Sequence, residues 1–163
     1  MHSTRNQGPG TKNQIFISKS EEQTRRIGKA LAQQLKPPSV LCLYGPMGSG
    51  KTTLVQGIAR GMGFHGRAVS PTFNLVREYR TWKKTLYHLD LFRVASGELY
   101  QLGLEDYFSD PKGICVIEWA ECARAWLPQD RLEIYLAVQQ NGLRKLKFRA
   151  GRIHSKKICA ILI

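Results

Sequence analysis

Gly45-Pro46-Met47-Gly48-Ser49-Gly50-Lys51-Thr52 satisfies the spacing Gly-x4-Gly-Lys-Ser/Thr in full. The stretch follows directly on the apolar run Val40-Leu41-Cys42-Leu43-Tyr44, and Leu54, Val55, Ile58, Ala59 and Met62 recur after it at helical spacing. Strand, glycine loop and helix in that order predict a phosphate-binding loop. Glycines let successive backbone N–H groups turn inward, and the helix N-terminus presents its positive end to the same anion. Residues Gly45 to Thr53 are the expected phosphate cradle, with Lys51 reaching the outer phosphates and Thr52 a magnesium ion. The ligand expected from these residues is a nucleoside triphosphate.

A chain of 163 residues is one domain's worth of sequence, enough to bury a core without metals or disulfides. The expected boundaries are a polar tail over 1–13, a nucleotide-binding domain over 14–150 and a basic extension over 151–163. No run approaches the roughly 20 apolar residues of a membrane span, and Met1 to Asn13 has no apolar core of a signal peptide, so the expected location is cytoplasmic. The four cysteines, at 42, 115, 122 and 159, form no Cys-x2-Cys pair. Cys42 and Cys115 lie inside apolar runs, where a thiol behaves as a small hydrophobe, and a zinc site or disulfide framework is not expected.

Charge carries more information, since 25 basic residues against 12 acidic give a net +13 and a field that attracts polyanions. Arg144, Lys145, Lys147, Arg149, Arg152, Lys156 and Lys157 stand in the last stretch of chain with no acid among them. A solvated basic face and an RNA contact both fit. Phe148 is the only aromatic there, so phosphate contact rather than base stacking is the mode expected of an RNA surface.

Outside the loop, Ile15-Phe16-Ile17 reads as a short strand. Ser20 with Gln23 opens a helix lined by Ile27, Leu31 and Leu35, and Pro37-Pro38 stops it. Strands are expected over Phe73–Tyr79 and Thr85–Phe92, joined by Trp82-Lys83-Lys84 as a hairpin insertion. A helix is expected from Ser96 toward Leu104, then a turn at Asp110-Pro111-Lys112-Gly113, a buried strand over Ile114–Ile117 and a short helix from Ala120. Leu132, Ile134, Leu136 and Val138 alternate, Asn141-Gly142 turns, and Leu146 and Phe148 alternate on the return, which predicts a C-terminal antiparallel hairpin. The fold class is a three-layer α/β domain of the P-loop NTPase kind with a partly parallel sheet.

Hydrolysis needs acids at the carboxyl ends of neighbouring strands, to hold magnesium and orient water. Asp90 and Glu118 each end an apolar run; taken singly each also reads as a strand-end solvent residue, and together with the loop they read as site acids. Both are candidates for the metal and for catalysis beside Lys51. Ser70-Pro71-Thr72-Phe73, with a proline between two hydroxyls, suits a segment that closes over a terminal phosphate, and as a bland alternative it is a turn leading into a strand. His88 shares a strand face with Asp90, but a lone histidine is more often a packed residue than a base. Trp119, beside Glu118, reads as core or as a partner contact.

Gly-Pro-Met-Gly-Ser-Gly-Lys-Thr-Thr at 45–53, Ser-Pro-Thr-Phe at 70–73, His-Leu-Asp-Leu-Phe-Arg at 88–93 and Ile-Glu-Trp-Ala-Glu at 117–121 together resemble the bacterial TsaE ATPase family of tRNA threonylcarbamoyladenosine biosynthesis. Order and spacing agree across residues 15 to about 140. The resemblance implies a small ATPase using ATP, yielding ADP, with Mg2+. It implies turnover only with TsaB and TsaD proteins, which transfer threonylcarbamoyl to adenosine 37 of tRNAs decoding ANN codons. It further implies that Lys51 and Thr52 bind phosphate and metal, that Asp90 and Glu118 serve metal and water, and that Ser70, Thr72 and Trp119 belong to a switch or partner surface. Two positions depart from the family pattern: Pro46 replaces an acidic residue and withdraws one N–H, and Ala120 replaces a proline.

Two other readings of the loop stay open from sequence, a small P-loop kinase of a nucleoside or metabolite and an RNA-binding protein switched by nucleotide. A kinase needs an acceptor pocket and usually an arginine-rich lid, where this chain has a hairpin. The net charge of +13 favours the RNA switch.

Overall fold

The computed structural model describes residues 13–66, 68–71, 74–95 and 97–151. Every residue of the run before the loop is buried, because strand β2 (Ser39–Tyr44) lies at the centre of the sheet. It pairs in parallel on one side with β5 (Gly113–Glu118) and on the other with β6 (Leu132–Val138). Strands buried on both faces read as continuous apolar runs, which is why neither β2 nor β5 alternates. The full order is β1-β7-β6-β2-β5-β4-β3, with β1 at Asn13–Ser18, β3 at Val76–Arg80, β4 at Thr85–Asp90 and β7 at Arg144–Ala150.

β4 runs parallel to β5, while β3–β4 and β6–β7 are antiparallel hairpins, so both expected hairpins are present on a partly parallel sheet. At the second turn Gly142 has φ 76 and Gln139 N–H donates to Leu143 O, the left-handed turn that Asn141-Gly142 encodes.

One face of the sheet is covered by α1 (Glu21–Gln34) and α2 (Lys51–Gly61). Ser20 caps α1 by accepting from Gln23 N–H, and the Gln23 side chain accepts from Lys19 N–H. The two helices touch backbone to backbone. A Cβ placed on Gly28 would collide with Leu54 O, one on Gly57 with Arg25 O and one on Gly61 with Lys29 O, so three glycines set the crossing. Leu31, Leu54 and Ile58 then close on Leu41, Leu43, Leu86, Ile114 and Ile134 from the sheet.

The opposite face carries a thinner layer built from a 3-10 turn at Leu99–Leu102, the short helix α3 (Leu104–Ser109) and a 3-10 turn at Ala120–Ala123. It covers only the central strands, through Val40, Cys42, Leu89, Cys115 and Ile117. Here the structure departs from the helix expected to run from Ser96 toward Leu104. Gly103 sits at φ 58 and splits the segment into two short pieces, and Ser96 itself lies outside the described residues. The segment from Ala120 is likewise a 3-10 turn. Strand β3 starts at Val76 rather than at Phe73, since Asn74 and Leu75 N–H groups both turn back onto Pro71 O and Leu75 has φ 59. Burial pushes the Cys42 thiol up to about 12 and the Cys115 thiol well above its ordinary value, as fits core packing. No helix among the described residues is long and apolar enough to cross a membrane.

Candidate functional site

The carboxyl ends of β2, β4 and β5 meet the N-terminus of α2, and the loop between β2 and α2 wraps that junction. Gly45, Gly48 and Gly50 hold φ of 141, 77 and 99, backbone conformations that side chains resist. At Gly45 a Cβ would also strike Leu136 O, so this glycine is required twice over. Lys51, only 5% exposed, donates from Nζ to Gly45 O at 2.6 Å and Pro46 O at 2.9 Å. Its ammonium also lies 3.9 Å from the centre of the Trp119 ring, a cation–π contact. Burial pulls the Lys51 ammonium below its ordinary value, and the carboxylates of Glu118, Glu121 and Asp90 oppose that pull.

Trp119 reaches this position because it adopts φ 58 directly after β5, a left-handed turn that swings its indole back over the loop and against Phe92, 4.8 Å between ring centres. A bulky residue held there is strained by about 1–3 kcal/mol, and such strain is found where the geometry is used.

Asp90 and Glu118 are register partners at the ends of β4 and β5, so they lie side by side on the face that looks at α2. Glu118 accepts from the Thr52 hydroxyl, whose oxygen is 2.9 and 3.0 Å from the two carboxylate oxygens. His88 Nε2 is 2.8 Å from Glu118 Oε1. Asp90 accepts from Ser70 Oγ and from Phe92 N–H. The two acids are therefore tied to different parts of the site, Glu118 to the loop helix and Asp90 to the segment containing Ser70. That segment is anchored independently by Tyr79, whose hydroxyl meets both Val69 N and Val69 O. Thr72 lies outside the described residues.

A cleft of about 370 Å³ opens between these groups, within the size range of small-ligand sites. Met47, Gly48, Gly50, Lys51, Thr52, Thr53, Ser70, Asp90, Glu118 and Trp119 all line it, so it gathers residues from all four motifs. Glu21, Phe92, Arg93 and Arg144 line it as well and were not among the expected site residues. Arg144 opens β7, far from the loop in sequence. Its Cδ and Nε lie 3.2 Å from where a Cβ on Gly50 would stand, and its Nε is buried without a hydrogen-bond partner among the described residues. In the sequence it shows only as one of many basic residues.

The donor set suits a hard cation. The Thr52 hydroxyl and the Glu118 and Asp90 carboxylates offer oxygen atoms, and the described residues hold no cluster of three His, Cys, Asp or Glu of the kind that cages zinc. Few protein oxygens with room for water and phosphate oxygens is the arrangement magnesium takes.

A glycine loop between a buried parallel strand and a helix, with an acid on the neighbouring strand bonded to the loop's threonine, defines a P-loop protein. Comparison with known proteins narrows the class. The family described as threonylcarbamoyl adenosine biosynthesis protein TsaE matches residues 18–146. A Bacillus subtilis protein named tRNA threonylcarbamoyladenosine biosynthesis protein TsaE is 38% identical over 138 residues, covering 85% of this chain and 86% of the relative. The Synechocystis protein of the same name is 48% identical over 101 residues, 60% of this chain and 64% of the relative. Among solved structures, that of Bacillus subtilis YdiB superposes with a TM-score of 0.80 at 31% identity, covering 94% of this chain and 95% of the other. The chain belongs to the TsaE family.

Proposed function

We propose that the chain is an ATP-binding and ATP-hydrolysing accessory subunit of the machinery that makes N6-threonylcarbamoyladenosine at position 37 of tRNA, acting on TsaB- and TsaD-family proteins. The observation that carries this reading is the Thr52–Glu118 hydrogen bond at the mouth of the cleft, which joins the loop to the acid of the neighbouring strand in a family of that pathway.

On binding, the loop amides from Met47 to Thr53 and the dipole of α2 receive the phosphates, and Lys51 exchanges Gly45 O and Pro46 O for phosphate oxygens. Pro46 brings no N–H to this cradle, though its carbonyl orients Lys51. Thr52 and Glu118 are the residues that would hold magnesium, with Asp90 beside them. Magnesium, when bound, neutralises charge on the β and γ phosphates. Asp90, tied to Ser70 rather than to Thr52, is left to orient the attacking water, while Ser70 and Thr72 report the state of the γ phosphate. Trp119 and Phe92 cover the lysine side of the cleft and present a partly exposed aromatic edge for a partner. Direct tRNA contact, where it occurs, falls to the basic C-terminal end.

ATP hydrolysis measured with and without TsaB and TsaD tests the reading. Weak turnover alone and strong stimulation by the partners is expected, with labelled phosphate released to water. Full activity of the isolated chain, or transfer of phosphate to a metabolite, overturns it in favour of an independent ATPase or a kinase.

A further inference from the structure

His88 does not line the cleft, and no part of its side chain is exposed, so it touches neither nucleotide nor attacking water. Its position in β4 is nevertheless tied to the site. It pairs in register with Val116, which places Glu118 diagonally across from it on the same face of the sheet. Of its two ring nitrogens, Nε2 meets Glu118 Oε1 at 2.8 Å, and Nδ1 is buried with no hydrogen-bond partner among the described residues. A carboxylate oxygen only accepts, so the nitrogen 2.8 Å from Glu118 is the one that donates, and a bare lone pair at the buried Nδ1 costs less than an unpaired N–H there would, which puts the proton on Nε2.

Glu118 thus receives two donors from different sides, the Nε2–H of His88 from within the sheet and the hydroxyl of Thr52 from the loop helix. A long carboxylate with one donor swivels about its terminal torsion. Two donors fix the plane of the group and leave its remaining lone pairs for the cleft. Magnesium demands near-octahedral geometry and tolerates misplaced oxygens poorly, so the orientation of this carboxylate sets how tightly the metal is held. Partners of ligating groups are worth about 10–100-fold in metal affinity.

We infer that His88 is a positioning residue: it acts through Glu118, holding the carboxylate in the orientation that takes magnesium, and has no contact with nucleotide itself. The inference rests on the proposed Mg2+–nucleotide site.

Glutamine and methionine have nearly the same length and volume and differ in whether the end donates, so His88→Gln and His88→Met isolate the hydrogen bond from the packing. Binding of a fluorescent ADP analogue is titrated with Mg2+ and repeated in EDTA, with the thermal midpoint of each protein recorded. The expected result is a 10–100-fold higher Mg2+ requirement for His88→Met, affinity in EDTA within about twofold of wild type for both, and most of the Mg2+ requirement restored in His88→Gln. A wild-type Mg2+ requirement in His88→Met, or equal impairment of both variants in EDTA, overturns the inference. Should His88→Met not fold, the folded His88→Gln decides alone: a requirement within about threefold of wild type supports the role and a tenfold rise overturns it. Wild-type binding that ignores Mg2+ would instead overturn the reading of the site on which the inference rests.

Discussion

Lys51 and Glu118 line the same cleft and fail differently when removed. Lys51 brings an ammonium held inside the loop, where hydrogen bonds from a charged donor are worth about 1.5–3 kcal/mol each. Lys51→Ala is expected to weaken ATP and ADP binding by roughly 100-fold or more in a direct titration. On the proposed reading Glu118 acts through the metal, so Glu118→Ala should bind nucleotide in EDTA within a few-fold of wild type while losing about 100–1000-fold in partner-stimulated hydrolysis. Equal hydrolysis by wild type and Glu118→Ala with partners present refutes the assignment. Arg144 gives the third test at this scale. Its guanidinium lies against Gly50 with Nε buried and unpaired, a donor that a bound nucleotide can satisfy, and Arg144→Ala should cost about 10-fold in nucleotide affinity. The loop, Asp90 and Glu118 are readable from sequence, because each breaks a local pattern: glycines where a helix begins, charges where an apolar run ends. Arg144 breaks none. It comes to line the cleft only because β7 pairs with β6, and β6 lies beside β2.

Among the elements, α1 and α2 form the most specific contact, because their glycines leave no room for a methyl. Gly57→Ala forces a Cβ into the Arg25 backbone, and overpacking of this kind costs about 1–3 kcal/mol or more. A drop in thermal midpoint of roughly 3–10 °C is the expected readout. A second contact fixes the link between α3 and β5. The Tyr87 hydroxyl donates to Asp110 Oδ2 at 2.6 Å, which with the Lys112 N–H holds the Asp110 carboxyl below its ordinary 3.8 and lifts Tyr87 to about 12. A depressed carboxyl contributes stability above the unfolded value and loses it as pH falls through the lower folded one. A raised phenol contributes below 10 and loses it on the way to 12. Tyr87→Phe should therefore be less stable than wild type between about pH 5 and 9, and the gap should close at both ends, as followed by melting across pH. These features mark where sequence stops being sufficient. Capping at Ser20, the Asn141-Gly142 turn and the buried runs of β2 and β5 are local and were legible. The tight helix crossing needed Gly28, Gly57 and Gly61 brought together in space, and the broken helix at Gly103 turned on one left-handed residue inside an otherwise helical spacing.

At the scale of the whole molecule the two layers are unequal. Helices α1 and α2 back the sheet on one face, whereas among the described residues the other layer stops at its centre and does not reach the outer face of β1 and β7. Ile15 and Ile17 are exposed there at 54% and 40%, beside their register partners Lys147 and Lys145. Arg149 follows on the same face, close to Glu133, so among the described residues Lys145 and Lys147 are the basic groups of this sheet surface with no ion pair, and Arg152, Lys156 and Lys157 continue the charge in sequence. Both stretches belong to the +13 excess, and salt dependence separates them. Each phosphate neutralised adds about 0.7–0.9 to the slope of log affinity against log salt. If the sheet face meets tRNA, Lys145→Ala with Lys147→Ala should lower that slope by about 1.5 and leave ATP binding untouched, since neither lysine lines the cleft. Removal of 152–163 should lower it by about 2 if the extension makes the contact. A slope unchanged by both alterations assigns the charge to solubility, and returns the whole of tRNA recognition to the partner proteins.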